Sequence, residues 1–214
     1  MRTLSIETPT HGRVLVRERA GARIVLIGFH GYTENAEIQM ARLEAVAGAA
    51  EWTLVSVQGL HRFYRGKTSE ISASWMTRQD REQMIADNLE YADRVVSAVV
   101  RSPTKIVTLG FSQGVAMAFR SAVRGRVRAA AVVAVGGDVP PELLADAGSE
   151  FPPVLIARGE TDDWYTASKL DADVSALKAR GIAPAVSVYP GGHAWTDAVA
   201  RGAHDFIVET FLEG

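Results

Sequence analysis

The chain contains no cysteine. Disulfides, a thiolate nucleophile and a cysteine-built zinc site are therefore excluded, and the absence fits an expected cytoplasmic location. An excess of one charge is missing too: 23 basic and 25 acidic residues leave a net −2, with no block of like charge. Neither nucleic acid nor an anionic membrane is an expected partner. No apolar run approaches the length that spans a bilayer, and residues 1–7 lack the apolar core of a signal peptide, so no stable membrane insertion is expected. Internal repeats, low-complexity tracts and linkers are lacking as well. What remains is 214 residues, 47% hydrophobic, which is enough to bury one sizeable core. A single domain over 1–214 is expected.

Buried-strand runs alternate with helical spacings along the whole chain. Apolar runs at 23–29, 52–57 and 128–135 read as strands covered on both faces, and those at 105–111, 153–158 and 185–189 as further strands. Helical patterns follow through Met40, Leu43, Val46 and Ala47, then at 81–100, after Gly114, from Val139 with Pro141 in the first turn, at 166–180, and from Trp195 to Leu212. Leu4, Ile6, Val14 and Val16 alternate around His11-Gly12 and predict an edge hairpin. Residues 58–80 show no period and mix Phe63, Tyr64, Trp75 and Met76 with Arg62, Arg65, Lys67 and Arg78. A loop of that length in a compact domain is usually functional. The pattern predicts an α/β fold: a mostly parallel central sheet with helices on both faces. The short connection from Asp138 to Val154 leaves no room for a large cap.

The chemistry centres on Gly110-Phe111-Ser112-Gln113-Gly114, which follows an apolar β-branched run and opens an Ala-rich helix. In that context G-x-S-x-G is a sharp strand-to-helix turn that exposes the serine hydroxyl. The glycines remove Cβ atoms that would clash in the turn, and the N–H of Gln113 points at the space where an oxyanion would form. The bland alternative is a close-packed turn with Ser112 as a helix N-cap.

A serine nucleophile needs a base, and the base needs an orienting acid. In open α/β sheets the site lies at the carboxyl ends of the strands. Of the five histidines, His193 follows the last strand in Pro-Gly-Gly-His and is the expected base. His11, His61 and His204 are poorly placed, and His30 fits the oxyanion loop better. Asp162 follows the preceding strand and is the favoured acid over Asp138, one strand further away. The turn after the first buried strand, His30-Gly31-Tyr32, should supply the second oxyanion donor through the N–H of Tyr32.

These residues resemble the α/β-hydrolase superfamily, and within it the small carboxylesterase, lysophospholipase and acyl-protein thioesterase family. The resemblance rests on His30-Gly31-Tyr32, Gly110-Phe111-Ser112-Gln113-Gly114, Gly159-x-x-Asp162 and Gly191-Gly192-His193, in the family's order across nearly the whole chain. It implies Ser112, Asp162 and His193 as triad, and Tyr32 and Gln113 as oxyanion residues. After Asp162 the family often has proline and small apolar residues, whereas Asp163, Trp164 and Tyr165 stand here. The related dienelactone hydrolases use a cysteine nucleophile, which this chain lacks.

The expected activity is serine hydrolysis of a small-molecule carboxylic ester through an acyl-enzyme. No metal or cofactor is called for, Trp75, Phe63, Trp164 and Trp195 are expected as apolar walls, and a homodimer is possible. Lysophospholipase, thioesterase or peptidase activity on the same triad is the enzymatic alternative. A catalytically silent ligand-binding protein of the same fold is the other.

Overall fold

The computed structural model describes residues 1–100 and 104–211. Its main sheet has seven strands, β1 (Arg13–Arg17), β2 (Ile24–Phe29), β3 (Thr53–Gln58), β6 (Lys105–Phe111), β7 (Ala131–Val135), β8 (Val154–Gly159) and β9 (Ala185–Tyr189). Their order is β1-β3-β2-β6-β7-β8-β9, with only β1 antiparallel to its neighbour. The remaining strands, β4 (His61–Tyr64) and β5 (Ile71–Ser74), form a separate antiparallel ribbon.

Alternate residues of each central strand feed two cores. Val25, Ile27 and Phe29 of β2 face the core built with α2 (Arg81–Val99), α3 (Gln113–Arg124), α4 (Pro141–Ala145) and α5 (Ala167–Ala179). Ile24 and Leu26 face the core built with α1 (Ala36–Ala47) and α6 (Asp197–Phe211). Because both faces are covered, every residue of β2, β3, β7 and β8 is buried, which is why these strands read as continuous apolar runs. Among the described residues, no helix is long and apolar enough to cross a membrane.

The expected N-terminal hairpin is corrected to a single edge strand. Leu4 and Ile6 are 61% and 75% exposed and belong to no strand, and β1 pairs with β3 alone. The expected loop at 58–80 is corrected as well, since it contains the β4–β5 ribbon. Four-residue strands, one of them almost wholly exposed, are too short to print a period on the sequence. The ribbon is tied down rather than free: Thr33 N donates to Ala73 O (3.2 Å), and Ala73 N donates to Glu34 O (2.8 Å). The closing helix begins at Asp197 rather than Trp195, and Leu212 lies outside the described residues.

Candidate active site

Ser112 stands between β6 and α3 with φ 52° and ψ −119°. A non-glycine residue there carries roughly 1–3 kcal/mol of strain that its surroundings must hold. They do so through Ser112 N, which donates to Val135 O on the next strand (2.8 Å). Both flanking glycines are required, because a Cβ on Gly110 would lie 2.4 Å from Gly114 O and one on Gly114 2.0 Å from Phe29 O. The Ser112 side chain makes no capping bond to α3, so the N-cap reading fails.

The Ser112 Oγ is instead 2.8 Å from His193 Nε2, and His193 Nδ1 is 2.9 Å from Asp162 Oδ2. The other carboxylate oxygen of Asp162 accepts from Trp164 N (2.9 Å) and Tyr165 N (2.8 Å). Its side chain is fully buried. An ionised carboxylate only accepts, so Nδ1 carries the imidazole proton and Nε2 is free to accept from the serine. Room for this pair comes from Gly136, which no motif marks. Its φ is +64°, and a Cβ there would crowd both the His193 ring (3.1 Å) and Asp162 Oδ2 (3.4 Å).

The acid's loop is braced from below. Arg158 is buried and donates to the backbone oxygens of Tyr165 (2.9 Å), Glu160 (3.0 Å) and Asp162 (3.4 Å). Asp173 accepts from Tyr165 Oη (2.9 Å) and Val139 N (3.0 Å), joining that loop to the segment after β7. By contrast Asp138, the other candidate acid, is 55% exposed and pairs with Lys169 at 3.3 Å.

The turn after β2 is fixed through Gly31. His30 is wholly buried; its Nε2 accepts from Gly59 N (3.0 Å), so its Nδ1–H donates to Gly31 O (2.7 Å). In a trans peptide the N–H points opposite the C=O, so holding Gly31 O also aims the N–H of Tyr32 away from His30. That N–H makes no hydrogen bond among the described residues. The N–H of Gln113, first in α3, has no intrahelical acceptor.

Because one ring nitrogen of His30 must accept, protonation would break the arrangement. Burial outweighs the Gly31 carbonyl and holds its pKa below the ordinary 6.5. The unfolded chain therefore takes up this proton first. Stability from His30 is fully present above about pH 6.5 and is lost as pH falls toward the depressed folded value. Thermal melts should thus drop between about pH 7.5 and 5, and His30→Gln, less stable at the upper pH, should drop less over that interval. Parallel pH curves for the two proteins would contradict this.

The Gln113 side chain has a task the motif does not announce. Its Oε1 accepts from Trp75 N (2.9 Å) and Ser74 Oγ (3.2 Å), and its Nε2 donates to Met76 O (2.9 Å). This clasps the segment after β5 to the start of α3. Trp75, expected as an apolar wall, is corrected to a core residue. It is 0% exposed, packs edge-on against Phe29 and donates its indole N–H to His30 O (2.8 Å).

Phe63 packs on Tyr32 (5.9 Å between ring centres), and Trp195 packs on Phe111 (6.3 Å); neither lines the cavity beside Ser112. Trp164 does line it, 73% exposed, with its ring 6.4 Å from that of His193. The cavity holds about 300 Å³. Its other walls include Ala116, Pro140, Arg81, Arg120 and Lys169. Two carboxylates face these three cations: Arg120 and the more distant Arg81 share Glu142 (2.6 and 3.6 Å), and Lys169 pairs with Asp138 (3.3 Å). None of the cations of residues 58–80 lines this cavity; Arg62 donates to His11 O and Arg65 pairs with Glu70.

Among solved structures the chain is similar to the esterase PE8, with a TM-score of 0.76 and 21% identity over 94% of this chain and 98% of that one. It is also similar to Zea mays acyl-protein thioesterase 2 (0.73, 18%, 94% and 99%) and to the Bacillus cereus carboxylesterase (0.72, 18%, 94% and 95%). At such identities the likeness shows the α/β-hydrolase fold. No curated protein sequence matches the chain. Residues 59–209, which take in Ser112, Asp162 and His193, match the dienelactone hydrolase family. The chain therefore belongs to the dienelactone hydrolase family, a hydrolase of the α/β superfamily without a single cysteine.

Proposed function

We propose that this hydrolase cleaves carboxylic esters of small acyl groups through a serine acyl-enzyme. One observation carries the reading: the hydrogen-bonded line from Ser112 Oγ through both ring nitrogens of His193 to the buried Asp162. With no cysteine in the chain, Ser112 takes the nucleophile's place at the elbow.

Ser112 Oγ attacks the ester carbonyl while His193 Nε2 takes its proton. Asp162 holds the ring and stabilises the imidazolium that forms. The N–H groups of Tyr32 and Gln113 receive the oxyanion. As the tetrahedral species collapses, the Nε2 proton passes to the departing alcohol. Water, deprotonated by the same nitrogen, then attacks the acyl-enzyme and releases the acid and Ser112.

Substrate size follows from the cavity, which at about 300 Å³ lies at the small end for ligand pockets. Across p-nitrophenyl esters from acetate to palmitate, kcat/KM should be highest for the short chains and fall by about tenfold or more toward palmitate. A thiol leaving group would use the same groups, so a short thioester belongs in the panel. A preference for palmitate would overturn the size argument, and no turnover of any ester would overturn the reading.

A further inference from the structure

We propose that Arg42 is a positioning residue: through Glu34 it locks the Gly31–Tyr32 turn, and through two rings it registers that turn against the loops bearing Ser112 and His193. The proposal rests on the ester-hydrolase reading above for its catalytic consequence.

Arg42 lies on α1, where the sequence gives no reason to expect anything but a solvated cation. Its guanidinium instead meets the Glu34 carboxylate fork to fork, both N–O distances being 2.6 Å. The two side chains are only 11% and 19% exposed, so water and salt screen the pair little. Glu34 Oε2 in turn accepts from Gly31 N at 2.7 Å. A Cβ on Gly31 would lie 2.9 Å from that oxygen and 3.1 Å from the Phe111 ring, so this grip requires glycine.

Gly31 is thus held on both sides, its N–H by Glu34 and its C=O by His30. The orientation of the Tyr32 N–H is the product of those two bonds. The same guanidinium sits 4.2 Å from the centre of the Phe111 ring, the residue before Ser112. It also lies 5.3 Å from Trp195, two residues after His193, and Phe111 touches the His193 ring at 5.2 Å. A planar cation can bind a carboxylate edge-on and offer its faces to rings, which an ammonium cannot do. One side chain therefore meets the three loops from which the oxyanion donor, the nucleophile and the base are drawn.

The variants are Arg42→Met and Arg42→Lys, assayed beside wild type on the best short p-nitrophenyl ester. Losing an oxyanion donor outright costs about 10²–10³ in kcat, so a loosened one should cost about 10–100-fold in Arg42→Met, with KM moving less than about threefold. A trifluoromethyl ketone, whose serine adduct carries the oxyanion, should bind weaker by the same factor. Arg42→Lys should fall between, since it keeps the charge and loses the fork; it also serves as the variant of record if Arg42→Met does not fold.

Exchange of the Gly31 amide, read by NMR, should quicken at least about tenfold in Arg42→Met and stay as in wild type in Ser112→Ala. Folded variants with wild-type kcat and ketone affinity, or with unchanged Gly31 exchange, overturn the proposal. If wild type hydrolyses no ester while Gly31 exchange still responds to Arg42, the functional reading falls and the lock on the turn stands.

Discussion

Ser112→Ala should lose about 10³–10⁶-fold in kcat on any ester the wild type hydrolyses. The size of the loss follows from the hydroxyl's position 2.8 Å from His193 Nε2, where it has no structural partner to serve. Stability should change by less than about 0.5 kcal/mol, because alanine meets the same backbone strain at φ 52° and no capping bond is removed. Turnover and a thermal melt on the same preparation check both halves. A folded Ser112→Ala protein that keeps wild-type kcat would refute the mechanism; an unfolded one would make Ser112 a structural residue.

Asp162→Asn should cost about 10⁴-fold in kcat, against less than about tenfold for Asp138→Asn. The asymmetry lies in what each carboxylate accepts. Asp162 receives two backbone N–H groups on one oxygen and the imidazole N–H on the other. Asparagine has one oxygen, and the backbone donors of Trp164 and Tyr165 claim it. The amide NH₂ then faces His193 Nδ1, which must give up its proton to accept. The ring shifts to the tautomer with hydrogen on Nε2, and that nitrogen can no longer take the proton of Ser112. The opposite amide orientation would set NH₂ against two N–H donors, at about 1–3 kcal/mol for a buried unsatisfied group. Asp138 pairs with the half-exposed Lys169, whereas His193 Nδ1 is bonded to Asp162. Saturating kcat for the two variants decides the matter, and the reverse ranking would move the acid to Asp138.

The parts of this site that were legible in the sequence are those that follow strands. Ser112, Asp162 and His193 each stand just past a strand of the sheet, and a parallel sheet gathers such positions at one edge whatever the loops do. The core strands printed themselves for the same reason: burial on both faces leaves only apolar residues. What stayed hidden is whatever depends on side-chain direction across distant segments. Arg42 and Glu34 look like ordinary surface charges eight positions apart, and only the fold brings Phe111 and Trp195 over them.

Trp75 carries the opposite lesson. A tryptophan amid basic residues in an apparently irregular stretch suggests a pocket wall. Yet β5 turns it inward, where His30 O takes its N–H and Phe29 its ring. Gln113 was legible only through its backbone, because nothing in a five-residue motif says that its amide will hold residues 74–76.

The most direct test of the central claim is covalent labelling with a fluorophosphonate, which reacts with a serine only where a neighbouring base and oxyanion donors activate it. Intact-mass analysis of the wild type should show one adduct per chain, peptide mapping should place it on Ser112, and ester turnover should disappear in step with labelling. Sustained ester hydrolysis by a chain that takes up no label, or an adduct on any residue other than Ser112, would contradict the account.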